Sequence, residues 1–269
     1  MCDTRDHKLS DELIGVIPAA GRGSRLFSYP GPKELFPIGC QEVEMNGALV
    51  KCPKVVSQYL VESFKNSGIR KVIIILGDNK FDIMRCYGNG KKFDLEIAYT
   101  YQEAATGMPD AIDVAYPWIK DRTVAFGMPD TLISPDDSFR HLLEFYHRSS
   151  TDVAVGCFET DRPHKFGMVD FDAETGLVKE IIDKPPKSEL QYMWGTMIWN
   201  RGFTEFLHRA LPGMRSKGIG REVVLGDVLQ SAIKEGFIVK ANPFVGGRYY
   251  DIGTWDEIAE VLKRHLVAE

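Results

Sequence analysis

The 269-residue chain is 44% hydrophobic and 26% charged, a balance that excludes a disordered polymer and allows a substantial core. Its formal net charge of −5 supplies no global field for nucleic acid or an anionic membrane, so neither is expected as a partner. No run reaches the ~18 apolar residues of a membrane span, and the five cysteines form no Cys-x-x-Cys pair, which suits reduced thiols and a cytoplasmic location.

Residues 1–12 are polar and charged and lack the apolar core of a secretory signal; they read as an N-terminal tail before a single domain over 13–269. Apolar, β-branched runs at 14–17, 72–76, 95–101, 123–126 and 153–158 predict strands. Val55, Val56, Tyr59, Leu60 and Phe64 keep helical spacing before Gly68, and 139–146 repeats the pattern after Ser138. Strands alternating with helices predict an α/β fold with a mostly parallel central sheet covered on both faces. Ligands in such sheets sit beyond the C-terminal strand ends, so the loops after Ile17 and Phe126 should face one crevice.

After Phe158 the texture changes to short strand-like pieces at 168–171, 177–182 and 196–199, which predict a small second lobe over the crevice. Asn200 can cap a helix through Leu207, and 223–234 reads as another helix ending near Gly236. Thr254-Trp-Asp-Glu257 has the form of a capping box and should start the last helix. The segment 39–53 reads as a hairpin over the crevice or as a subunit contact, which leaves room for a homo-oligomer. Cys40 and Cys52 bracket it and could meet across the hairpin, but a metal would need two further ligands that the neighbourhood does not offer.

Chemistry concentrates in 17–33. An apolar run breaks into Ala20-Gly21-Arg22-Gly23-Ser24-Arg25-Leu26, followed by Pro32-Lys33. Gly21 and Gly23 let backbone N–H groups approach phosphate oxygens, and Arg25 and Lys33 neutralise the charge those groups leave. No Gly-Lys-Ser/Thr closes the loop, and Leu26 stands where a third dinucleotide-binding glycine would fall, so it is neither common nucleotide loop. Farther on, the apolar segment Ala125-Phe-Gly-Met-Pro-Asp130 delivers a carboxylate at a strand end, where a turn aspartate is the plain alternative.

The series Ala-Gly-x-Gly-Ser-Arg-Leu then Pro-Lys-Glu-Leu-Phe-Pro-Ile resembles the signature of the sugar-1-phosphate nucleotidyltransferases, above all the glucose-1-phosphate thymidylyl- and uridylyltransferases. Ala20 stands where many members carry glycine, and Ser24 where many carry threonine. The resemblance implies a Rossmann-like domain with a nucleotide-binding half over about 13–150 and a sugar-phosphate-binding half over about 151–255. It implies transfer of a nucleotidyl group from a nucleoside triphosphate, dTTP or UTP, to a sugar-1-phosphate, with Mg²⁺ as cofactor. The last predicted helix leaves no length for the β-helix domain that some pyrophosphorylases append.

Carried over residue by residue, Ala20, Gly21, Gly23 and Ser24 line the phosphates, and Arg25, Lys33 and Lys184 act in catalysis. Asp130, together with Asp251 of Tyr249-Tyr-Asp-Ile-Gly-Thr254, supplies the metal ligands. Asp183 and Lys184 of Ile182-Asp-Lys-Pro185 hold the sugar phosphate, with Gly167 and Gly195 approaching the sugar. Gln102 and Gly107 read the base. An amide matches the imide edge of uracil or thymine, and a cytosine edge also satisfies it. Two alternatives remain: a cytidylyltransferase for a polyol or choline phosphate, and a noncatalytic homologue that binds nucleotide or sugar in a regulatory role.

Overall fold

Alternation along β1 (Leu13–Ala19) sets the architecture: Ile14 and Val16 bury on one face of the sheet, Leu13 and Ile17 on the other. The computed structural model describes residues 13–26, 29–217 and 222–266, so the expected tail over 1–12 lies outside the described residues. β1 pairs in parallel with β4 (Lys71–Leu76) and β6 (Thr123–Phe126), and β4 pairs in parallel with β5 (Glu96–Tyr101). Strands buried on both sides need helices on both sides. One face is covered by α1 (Val56–Asn66), α2 (Phe81–Tyr87) and α5 (Ser138–Ser149). The other is covered by α3 (Met108–Val114), α4 (Tyr116–Ile119), α6 (Arg201–Lys217) and α7 (Leu225–Lys234). The α/β class read from the sequence holds.

The second half of the chain joins the same sheet. β11 (Tyr192–Trp199) runs antiparallel to β6, to β8 (Val153–Glu159) and, at Met193, to β9 (Gly167–Phe171). β10 (Val178–Asp183) pairs with β9, and β12 (Val239–Pro243) pairs with β8. The expected small lobe is therefore a continuation of the central sheet, because β11 starts at Tyr192, well before the predicted 196–199, and reaches both halves. Asn200 Oδ1 accepts from Phe203 N at 3.1 Å, the predicted cap. The helix it starts continues past Leu207 through Pro212 to Lys217, since Leu211 prolongs the buried stripe of Phe203, Phe206 and Leu207.

Three features position the site. β2 (Pro37–Met45) and β3 (Ala48–Val55) form the predicted hairpin, turning at Asn46-Gly47, with Val43, Met45, Leu49 and Val50 exposed. Its register pairs Cys40 with Pro53 and Gln41 with Cys52, so the two cysteines occupy opposite faces and do not meet as the sequence suggested. β7 (Thr131–Ser134) and β13 (Arg248–Asp251) make a second two-stranded sheet. Leu26, Ile38, Leu132, Ile252, Ile258 and Val261 form a separate apolar cluster that seats α8 (Trp255–Leu266) against the glycine loop and the hairpin base. Among the described residues no helix is long and apolar enough to cross a membrane.

Phe64 anchors α1 to the sheet. It is fully buried, meets Phe139 edge to face at 4.7 Å, and fills the place a Cβ on Gly15 would take. Phe64→Ala should lower unfolding free energy by about 3–5 kcal/mol, the range for emptying a buried aromatic site, as measured by urea denaturation.

Candidate active site

At the end of β1 the chain passes into Ala20-Gly21-Arg22-Gly23, and Gly23 takes a left-handed φ of 64° that sends it into the single turn Ser24–Leu26. A Cβ on Gly21 would meet nothing within 4 Å, so the backbone there faces open space. Ser24 and Arg25 are exposed, and Ala20 is buried against Gly77 of the loop after β4. The turn Lys33–Leu35 then carries Lys33 back beneath this loop.

The β7–β13 ladder gathers the acidic groups. Asp251 faces Thr131 across the ladder, and Ile252 N donates to the Asp130 carbonyl at 2.8 Å, so two aspartates far apart in sequence come from adjoining backbone. Lys33 Nζ donates to Asp130 Oδ2, with both side chains about 15% exposed. Burial pulls the Lys33 ammonium down, but the Asp130 carboxylate outweighs it and holds the proton above the usual range. Burial and then the Asp130 charge push the Asp251 carboxyl up to about 7, against the pull of Lys33 and Arg25. Arg25 Nη2 stands 3.9 Å from Asp251 Oδ2. Gly253 lies so close that a Cβ on it would come 2.7 Å from that oxygen and 2.8 Å from that nitrogen.

Lys33 and Arg25 match the two carboxylates in number, yet burial and mutual repulsion leave Asp251 holding its proton more tightly than usual. Hard divalent cations take such oxygen donors, and one or two protein carboxylates suffice when water and phosphate complete the shell. Asp130 and Asp251 fit that requirement for Mg²⁺. Among the described residues no three His, Cys, Asp or Glu side chains cluster as a metal site, so an ion here would lean on substrate oxygens.

The residues expected on the sugar side form a second group. Asp183 pairs with Gly167, and Lys184, at a left-handed φ of 45°, donates its N–H to the Phe166 carbonyl at 3.0 Å. The Phe166 ring meets Tyr249 at 6.0 Å, and Tyr249 fills the place of a Cβ on Gly195. Trp194 fills the same place on Gly167, so aromatic packing alone accounts for both glycines. Tyr249 links this second group to the carboxylates, because its strand ends in Asp251. Of the residues expected to read the base, Gln102 is buried and its Nε2 donates to Thr106 Oγ1 and to the Gly107 carbonyl, each at 3.3 Å.

Four contributors were not legible as site residues. Glu34 and Lys80 form a buried ion pair beside Lys33. Lys165 Nζ donates to Glu257 Oε1 at 2.8 Å, and Glu257 Oε2 accepts from Gly253 N and Thr254 Oγ1, so the predicted capping box also braces the turn after Asp251. Burial opposes ionisation of Glu257, but the Lys165 and Thr254 hydrogen bonds outweigh it and hold the carboxyl below its usual range. An open groove of about 880 Å³ between Glu159, Arg162, Arg248 and Glu260 shares β13 with this site, and none of the predicted site residues lines it.

Comparison with known proteins gives the family and the fold. The family model described as nucleotidyl transferase matches residues 14–266. The low-salt glycan biosynthesis nucleotidyltransferase Agl11 of Haloferax volcanii is 26% identical over 92% of this chain, and the glucose-1-phosphate thymidylyltransferase of Streptomyces griseus is 23% identical over 93%. The matched part spans 64% and 65% of those two proteins. A Bacillus anthracis structure, solved as a glucose-1-phosphate thymidylyltransferase with sucrose, superposes with a TM-score of 0.79 at 21% identity over 94% of this chain and 95% of its own.

The raised proton affinity of Asp251 has a measurable sign. Folded, its carboxyl keeps the proton to about pH 7, whereas the ordinary value is 3.8, so the native chain binds more protons between those limits. Stability present in full below about pH 4 should therefore fall as pH rises through 7, at up to about 1.4 kcal/mol per pH unit. Urea denaturation in EDTA should show this decline in the parent and a shallower one in Asp251→Asn.

Proposed function

The chain belongs to the nucleotidyl transferase family, and from that premise we propose that it transfers a nucleotidyl group from UTP or dTTP to a sugar-1-phosphate, releasing pyrophosphate. The observation that carries this reading is the convergence of Lys33, Asp130, Asp251 and Arg25 beside a glycine turn whose backbone faces open space. A phosphate oxygen of the sugar-1-phosphate attacks the α-phosphorus, the bond from that phosphorus to the bridging oxygen breaks, and the electron pair leaves with pyrophosphate. The nucleophile is already anionic, so no strong base is required and catalysis is positioning and charge neutralisation.

Each residue then has a task. The N–H groups of 21–24 cradle the triphosphate. Arg25, exposed and loosely held at 3.9 Å from Asp251, is free to turn toward the departing phosphates. Lys33 is anchored at the α-phosphate by Asp130, and Lys184 offers a compact charge to the sugar phosphate. Asp130 and Asp251 would hold Mg²⁺, which when bound would neutralise charge on the phosphate oxygens. Because the Gly107 carbonyl can only accept, it orients the Gln102 NH₂ toward itself and leaves Oε1 as the acceptor for the base. That acceptor suits the N3–H of uracil or thymine.

Pyrophosphate release should be highest with UTP or dTTP, Mg²⁺ and glucose-1-phosphate among a panel of triphosphates and phosphorylated acceptors. Turnover confined to CTP with polyol or choline phosphates would establish the cytidylyltransferase instead, and binding without turnover the noncatalytic role. Arg25→Ala and Asp130→Asn should each lower kcat about 100-fold or more with an unchanged circular-dichroism spectrum. Parental kcat in either variant would remove the role given to that residue.

A further inference from the structure

Two buried charges have no part in the chemistry above. The side chains of Glu34 and Lys80 are 2% and 5% exposed, and Lys80 Nζ donates to Glu34 Oε2 at 2.6 Å. Relative to apolar residues of similar volume, a buried pair of this kind is often neutral or unfavourable, so stability gives no reason for it. Its place in the fold does. Lys33 and Glu34 are consecutive on one turn; the first reaches Asp130 and the second reaches Lys80. Lys80 immediately precedes α2, in the loop after β4.

That loop touches the glycine loop a second time. At Gly77 a Cβ would lie 2.6 Å from the Ala20 carbonyl oxygen, which leaves no space between the two backbones. The segment from Ala20 to Glu34, which carries Gly21, Gly23, Arg25 and Lys33, is thus registered at both ends on the loop after β4. Backbone meets backbone at Ala20, and charge meets charge at Glu34.

We propose that the Glu34–Lys80 pair is a positioning device that fixes the turn so that Lys33 Nζ is aimed into the reaction site. Neither Glu34 nor Lys80 touches substrate. A directional hydrogen bond between charges sets the rotation of the turn, whereas an apolar contact of equal volume lets it slide. The inference rests on the role given to Lys33 in the proposed transfer.

The test is the double variant Glu34→Met/Lys80→Met, which keeps the volume and leaves no unpaired charge. Its Tm should equal or exceed that of the parent. Its kcat should fall about 10- to 100-fold, with KM for the triphosphate changed less than about threefold, as expected when a catalytic group is displaced by a fraction of an ångström. In a Lys33→Ala background the same pair of substitutions should cause no further loss, because the device acts through Lys33. Parental kcat in the double variant, or an equal loss in the Lys33→Ala background, overturns the proposal.

Should the double variant not fold, Glu34→Asp decides by the same two backgrounds, since it keeps both charges and shortens the reach. A parent chain without turnover on any substrate pair would refute the proposed function and not this one. Amide hydrogen exchange of the 33–36 turn is then the deciding measurement. Faster exchange in the double variant, or in Glu34→Asp if the double variant does not fold, supports positioning at unchanged global stability, and unchanged exchange overturns it.

Discussion

Backbone pairing between β7 and β13 brings two carboxylates together against their own repulsion, and the rest of the site is arranged around that enforced proximity. Asp130 lies just before β7 and Asp251 ends β13, so neither can withdraw without breaking the short ladder and the hydrogen bond from Ile252 N to the Asp130 carbonyl. The Asp251 proton affinity registers the crowding, and Lys33 and Arg25 answer it with positive charge. The four charges meet in a partly buried setting where each counts for more than in water.

Tyr249 makes this arrangement a property of both halves of the chain. Its ring lies between Phe158 and Phe166, against Gly195, while its hydroxyl reaches the Met128 sulfur at 3.8 Å. The backbone that carries the ring continues directly into Asp251. Lys184 is tied to Phe166 by its N–H, so a continuous chain of packed contacts runs from Lys184 through Phe166 and Tyr249 to the strand that ends in Asp251.

Local signals carried much of this in the sequence. The Gly-x-Gly turn, Arg25 and Lys33 sit in a short motif whose residue types suit phosphate, the resemblance singled out both aspartates, and the parallel strands announce themselves as apolar runs. What stayed hidden was non-local. β7 and β13 are four residues each, too short to show a period, and nothing local tells that they pair. Glu34 and Lys80 lie 46 residues apart, and nothing local tells that the fold buries them together. Gly167 and Gly195 looked like places for a ligand to approach, and their neighbours Trp194 and Tyr249, which take up that space, come from other strands. The strands after β8 suggested a separate lobe because their pieces are short, yet β11 pairs with β6, β8 and β9 and merges them into one sheet.

Among the described residues the β2–β3 ribbon has one strand neighbour for each of its strands, so each presents an outer row of backbone donors and acceptors, with Met45 and Leu49 bare near its tip. Ribbons of that sort template the addition of foreign strands and seed fibrous association. This one carries its own protection. Pro37 and Pro53 remove donors from the rows, while Glu42, Glu44, Lys51 and Lys54 place charge along them, so stacking another ribbon alongside would bury ions beside gaps in the ladder. An apolar tip can thereby project from the fold without inviting a further strand onto its rim.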